Sequence, residues 1–156
     1  MKLNAYETRL DEKGNIYMKV ANTYKVDGRL VYASPERLVN LFGDVIGIKN
    51  AATEFLYVGC FDTNLHCVGC FMASAGSVNT SIFPVREIIQ KSLMLNAVCI
   101  AISHNHPSGN ITPSQSDINS TEKIKAACDV VGVQFLDHVI VAPNTSEYYS
   151  FAENKK

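Results

Sequence analysis

Tryptophan is absent from the 156 residues, and no window approaches the roughly 18 consecutive apolar residues that a membrane-spanning helix requires. The first residues, Met1-Lys2-Leu3-Asn4-Ala5-Tyr6-Glu7, have no apolar stretch of the signal-peptide kind. The chain is therefore expected to stay where it is made, in the cytoplasm, with no membrane partner. An excess of charge of either sign is also missing: the formal net charge is −1. A domain that lives on phosphate contacts usually shows a clear basic excess, so the charge gives no support to a nucleic-acid partner. Internal repeats and low-complexity linkers are absent too, which makes the chain one unit. The five cysteines (60, 67, 70, 99 and 128) are odd in number and lie mostly in apolar runs. That pattern fits reduced, buried thiols in a cytosolic protein and not a disulfide framework.

What is present suits a single globular domain with one core, since 47% of residues are hydrophobic and 19% charged. The first thirty-odd residues alternate as β structure: Ile16, Met18 and Val20 against Tyr17, Lys19 and Ala21, with turn signals at Gly14-Asn15 and Asp27-Gly28. Ser34-Pro35-Glu36 opens a helix, with Ser34 as N-cap and an apolar stripe of Leu38, Leu41, Phe42 and Val45. Phe55 to Phe61 is apolar on both faces, as a central strand would be, and Asp62-Thr63-Asn64 turns it into a second strand, Leu65 to Phe71. A helix follows Pro84. The most apolar run, Ala97 to Ile102, is expected to be a buried strand, followed by a helix from about Pro113 to Val131 that Gly132 ends. Val133 to Leu136 and Val139 to Val141 supply one or two closing strands. Strands and helices alternate in the second half, which predicts an α/β or α+β fold with a mixed sheet flanked by helices.

The chemistry concentrates after the buried strand, in Ser103-His104-Asn105-His106-Pro107-Ser108-Gly109 and, further on, Ser114-Gln115-Ser116-Asp117. Alternate strand residues point the same way, so His104 and His106 can face one point. Asp117 follows His106 with ten residues between, in the first turns of the next helix, and can reach the same point. Two histidines, a carboxylate and an open fourth position, filled by water, are what a catalytic zinc needs. A His-x-His pair alone is a weak signal, and Asp117 has a structural explanation as well: Ser114-x-x-Asp117 resembles a capping box, with Thr112-Pro113-Ser114-Gln115 as a competing cap. Capping does not explain why a helix start should follow two histidines that emerge from a buried strand.

A hydrolytic zinc also needs a proton acceptor that is not a ligand. Glu54 leads into the central strand on the face of Leu56, Val58 and Cys60, whereas Glu87 sits where an acid merely complements a helix dipole. The placement favours Glu54. Ser114 suits either an oxyanion donor or a plain helix-start residue. His138, flanked by apolar residues, fits a satisfied core histidine, His66 fits a strand surface, and Cys67-Val68-Gly69-Cys70 fits strand thiols because no second pair accompanies it.

These residues resemble the JAMM motif (JAB/MPN+ domain) in its RadC-like form. His104-Asn105-His106-Pro107-Ser108-Gly109 with Pro113-Ser114-x-x-Asp117 carries the likeness. Gly76-Ser77-Val78-Asn79, Pro84 to Ile88, Leu95-Asn96-Ala97, Leu136-Asp137-His138 and Tyr149-Ser150-Phe151 extend it over about residues 34–153. It divides the chain into a β-rich extension, 1–33, and a RadC-like domain, 34–156. The resemblance implies a three-layer, cytidine-deaminase-like α/β/α fold with one zinc at an end of the sheet, held by His104, His106 and Asp117. It also implies that Glu54 activates the zinc-bound water and that Ser114 steadies the tetrahedral intermediate. Relatives of known activity cleave peptide or isopeptide bonds, so the expected partner is a protein or peptide substrate.

Two rivals remain. The first is a RadC-like accessory for DNA repair, a binding module whose zinc is structural or idle. Bacterial RadC proteins typically carry an N-terminal helix-hairpin-helix region, and only about thirty β-like residues precede the domain here, which with the charge counts against this rival. The second is a zinc nucleobase deaminase, whose His-x-Glu and Pro-Cys-x-x-Cys signature is missing.

Overall fold

A computed structural model describes residues 2–26, 31–32, 34–76 and 83–154. The expected turn at Asp27-Gly28 and the Ser77-Val78-Asn79 part of the family likeness lie outside the described residues. The elements run β1 (Lys2–Leu10), β2 (Ile16–Lys25), α1 (Pro35–Leu38), β3 (Glu54–Phe61), β4 (Cys67–Gly76), α2 (Val85–Met94), β5 (Cys99–Asn105), α3 (Gln115–Val131), β6 (Gln134–Val141) and β7 (Tyr148–Ser150). The strands form one seven-stranded sheet in the order β2-β1-β4-β3-β5-β6-β7. Four neighbouring pairs are antiparallel, while β1 with β4 and β5 with β6 are parallel. The fold is α/β with a mixed sheet. β3 is its middle strand, as the two-faced apolar run predicts.

Alternation along the strands sorts the side chains onto two faces. On one, Leu38, Leu41, Phe42 and Ile48 pack against Leu3, Phe61, Cys70, Ala101, Val139 and Val141. On the other, Ile88 of α2 and Ile124 and Cys128 of α3 cover Leu56, Val58, Cys60, Phe71, Ile100 and Ile102. Each fully buried Leu, Ile or Phe contributes about 1.5–3 kcal/mol. The single core expected from composition is thus divided by the sheet into two, and helical structure covers both faces.

Boundaries differ from the sequence reading in instructive ways. The helix opened by Pro35 makes one α turn and then widens into a π-helical segment, Val39–Val45, closed by an Ile46 N–H to Leu41 carbonyl bond of 2.9 Å. The strand expected at 97–102 begins at Cys99 and runs through Asn105, so His104 lies within the sheet. The two closing segments merge into one strand because Asp137 and His138 continue the ladder with Ala101 and Ile102. β7 was not foreseen. Gly132 ends α3 at φ 73°, as its position predicts. Among the described residues no helix is long and apolar enough to cross a membrane.

Candidate metal centre

The site forms where β5 leaves the sheet. All seven residues of β5 are buried, and His104 shares a face with Ile100 and Ile102, the face that α3 covers. Leu56 of β3 stands opposite His104. Carried two residues further, that antiparallel register sets Glu54 opposite His106. Past His106 the chain turns away through Pro107 and Ser108, and Gly109 takes φ 88°, a conformation that favours glycine.

Helix α3 brings the carboxylate. Ser114 is its N-cap, with extended backbone (φ −74°, ψ 165°), so the Ser114-x-x-Asp117 frame is adopted and the Thr112 frame is not. The Asp117 N–H donates to Ser114 Oγ at 3.1 Å, and Asp117 Oδ2 accepts from the Ser114 N–H and hydroxyl, both at 2.7 Å. This capping box holds Asp117 in one orientation at the positive end of the helix, where a carboxylate is favoured.

Glu54, His104, His106 and Asp117 each offer one ligand atom, and all of these atoms lie within 4.8 Å of one another. His104 Nε2 and His106 Nε2 are 2.8 Å apart. Asp117 Oδ1 lies 3.4 Å from His104 Nε2, and its Oδ2 lies 3.5 Å from His106 Nε2. His104 and Asp117 are buried, whereas Glu54 and His106 are half-buried. The group is therefore walled on one side and open to solvent on the other. Nitrogen and carboxylate oxygen converging on one point suit a divalent ion such as zinc, with an approach left for water or substrate.

Charge and tautomer agree with this. Burial raises the Asp117 pKa, but the neighbouring His104 and His106 rings, together with the Ser114 hydroxyl, outweigh it and hold the carboxyl well below its usual range. Asp117 is thus ionised at neutral pH, as a ligand must be. Burial works against charge on the His106 ring, yet Asp117 and the Asn110 carbonyl leave its pKa above the ordinary value. His106 Nδ1 lies 2.6 Å from the Asn110 carbonyl oxygen, which can only accept; Nδ1 therefore carries a proton and Nε2 is left for an ion.

The sequence-chosen residues thus come together, with one qualification for Ser114. Its hydroxyl proton points at Asp117 in this structure, as the capping reading anticipates. Glu87 lies elsewhere, exposed beside Arg86 at 3.7 Å. His66 turns to Asp62 at 3.3 Å, and Cys67 and Cys70 are buried free thiols of β4. Sequence reasoning missed two neighbours of the site. His138, correctly read as a satisfied core histidine, bonds His104 directly: its Nε2 lies 2.7 Å from His104 Nδ1. Thr121 lies 2.7 Å from His138 Nδ1. Thr121 is four residues beyond Asp117 on the same helix face, a spacing that would have flagged it.

A family model for the RadC-like JAB domain matches residues 32–156. The chain belongs to the RadC-like JAB domain family. Curated relatives that share the likeness are named UPF0758 proteins. One from Clostridium botulinum is 43% identical over 123 residues, covering 78% of this chain and 53% of that protein. One from Pasteurella multocida is 45% identical over 108 residues, covering 69% and 47%. One from Actinobacillus pleuropneumoniae is 48% identical over 80 residues, covering 51% and 36%. The chain thus spans from about a third to about half the length of these relatives, whose names state no activity. JAB domains as a family include metallohydrolases, and the four-residue group lies within the matched RadC-like region.

Proposed function

We propose that this RadC-like JAB domain is a zinc-dependent hydrolase of the JAMM type that cleaves peptide or isopeptide bonds. The observation that carries the proposal is the convergence of Glu54, His104, His106 and Asp117, with two members buried and two facing solvent. His104, His106 and Asp117 would hold the ion. When bound, zinc lowers the pKa of its water toward about 7 and polarises a carbonyl.

The chain's own residues supply the rest. Glu54, half-buried on the open side, accepts a proton from the attacking water and returns it to the leaving amine. With the ion bound, Ser114 would turn its hydroxyl from Asp117 Oδ2, its present acceptor, to the oxyanion. The capping box keeps Asp117 oriented through this change, because the Ser114 N–H bond to Oδ2 is independent of the hydroxyl. Five buried free cysteines favour a reducing compartment, so the proposed location is the cytoplasm.

Zinc content and cleavage of a peptide library, compared between wild type and Glu54→Gln, test this. Expected are equal zinc content and a variant slower by about 10²–10⁴. Equal rates would remove Glu54 from the chemistry. Salt-sensitive DNA binding with no cleavage of any peptide would favour the accessory role instead.

A further inference from the structure

A buried chain of hydrogen bonds runs from the backbone of one proposed ligand to the ring of another. Thr121 Oγ1 lies 2.6 Å from the Asp117 carbonyl oxygen and 2.7 Å from His138 Nδ1. His138 Nε2 lies 2.7 Å from His104 Nδ1, and His104 Nε2 faces His106 and Asp117. Thr121, His138 and His104 are buried.

The direction of the bonds from Asp117 through Thr121 and His138 to His104 Nδ1 follows by elimination. A carbonyl oxygen cannot donate, so the single hydroxyl proton of Thr121 goes to Asp117. Thr121 Oγ1 must then accept from His138, which places a proton on His138 Nδ1. His138 is wedged between Phe151, stacked on it at 4.6 Å, and the edge of Phe83 at 5.5 Å. No carboxylate is hydrogen-bonded to its ring among the described residues, and an apolar enclosure of this kind disfavours a second proton on that ring. Its Nε2 is therefore an acceptor, and the proton in the 2.7 Å contact belongs to His104 Nδ1. His104 Nε2 is left as an acceptor, so any proton in its 2.8 Å contact with His106 Nε2 in the metal-free state comes from His106.

We infer that Thr121 and His138 are positioning residues that lock His104 in its Nδ1-protonated tautomer, so that Nε2 is ready to take a metal ion. The inference rests on the metal-centre reading above and adds to it the means by which the buried ligand is prepared. Ligating histidines commonly hand their second nitrogen to a carboxylate, carbonyl or water. Here a neutral histidine takes that place, and its own tautomer is set by a threonine of α3, the helix that also bears Asp117. Removing the hydroxyl frees His138 to carry its proton on Nε2. It would then donate to His104 Nδ1 and push the His104 proton onto Nε2, the ligand atom.

The test uses the full chain with imidazole ¹⁵N NMR in the metal-free state and zinc affinity by chelator competition. Wild type should show His104 protonated at Nδ1. In Thr121→Val the His104 proton should shift toward Nε2 and zinc affinity should fall about 10–100-fold, with Thr121→Ser restoring both. Packing alone would alter stability in Thr121→Val without moving the tautomer. A wild-type His104 protonated at Nε2, or a Thr121→Val variant that keeps both tautomer and zinc affinity, overturns the inference. A wild type that binds no zinc would defeat the metal-centre reading, while the metal-free tautomer would still decide this inference.

Discussion

Asn105 is bonded to the backbone on both sides of Glu54. Its Oδ1 accepts the Phe55 N–H at 2.7 Å, and its Nδ2 donates to the Thr53 carbonyl at 3.0 Å. Asn105 is buried and points to the opposite face of β5 from the two histidines beside it. One side chain thereby ties the end of β5 to the start of β3 and sets how far Glu54 stands from His104 and His106.

Asn105→Ala should slow catalysis more than it weakens metal binding. A displacement of about 1 Å in a reacting group costs about 10²-fold in rate, so kcat is expected to fall by about that factor while zinc affinity stays within a few-fold. The half-buried Phe55 N–H left without its partner should also lower stability by about 1 kcal/mol. Steady-state kinetics with chelator competition check both. A variant that loses stability but keeps kcat would make Asn105 a fold element only.

Asp137 offers a pH test away from the metal ligands. Burial pushes its pKa up, and hydrogen bonds from Ser150 Oγ and the Ala152 and His138 N–H groups offset this only in part. The folded protein therefore holds the Asp137 proton more tightly than the unfolded chain does. The stability this supplies is complete below the carboxyl's unfolded pKa and is lost as pH rises through the raised folded value. Relative to Asp137→Asn, which cannot ionise, wild type should lose stability as pH rises from the acid side to neutrality. Urea melts of the two proteins across that range measure it, and a difference that stays flat or grows with pH would be contrary.

The thiols should be inert in the native state. Burial pushes Cys60 and Cys67 up to about 12 and Cys128 up to about 11. At pH 8 a thiol of pKa 11 is thiolate to only about one part in a thousand. All five cysteines are buried. A coloured disulfide reagent should titrate none of them quickly at pH 8 and all five in denaturant. Fast native reaction of Cys67 or Cys70 would reopen the question of a role for the Cys-x-x-Cys segment.

Much of the site was legible because it is encoded locally. A two-residue spacing on a strand and a capping box at a helix start each announce a direction for a side chain. Glu54 was separable from Glu87 because its strand neighbours Leu56, Val58 and Cys60 showed which face it shares. The partners of these residues were not legible. His138 meets His104 across 34 positions and Asn105 meets Phe55 across 50; no periodicity reports such pairings. β7 was missed because three residues are too few for an alternation. The π-helical widening at Val39–Val45 leaves the apolar stripe of a plain helix in place. Ser114 stayed ambiguous for a different reason: capping and oxyanion donation call for the same residue at the same place.

Zinc binding tests the centre most directly. Protein purified without chelator or histidine tag, then titrated with zinc, should bind one ion per chain tightly. A His104→Ala/His106→Ala double variant that keeps its far-ultraviolet circular dichroism should bind none. A wild type that takes up no zinc, or a double variant that binds it as well as wild type, would contradict a metal centre built from His104, His106 and Asp117.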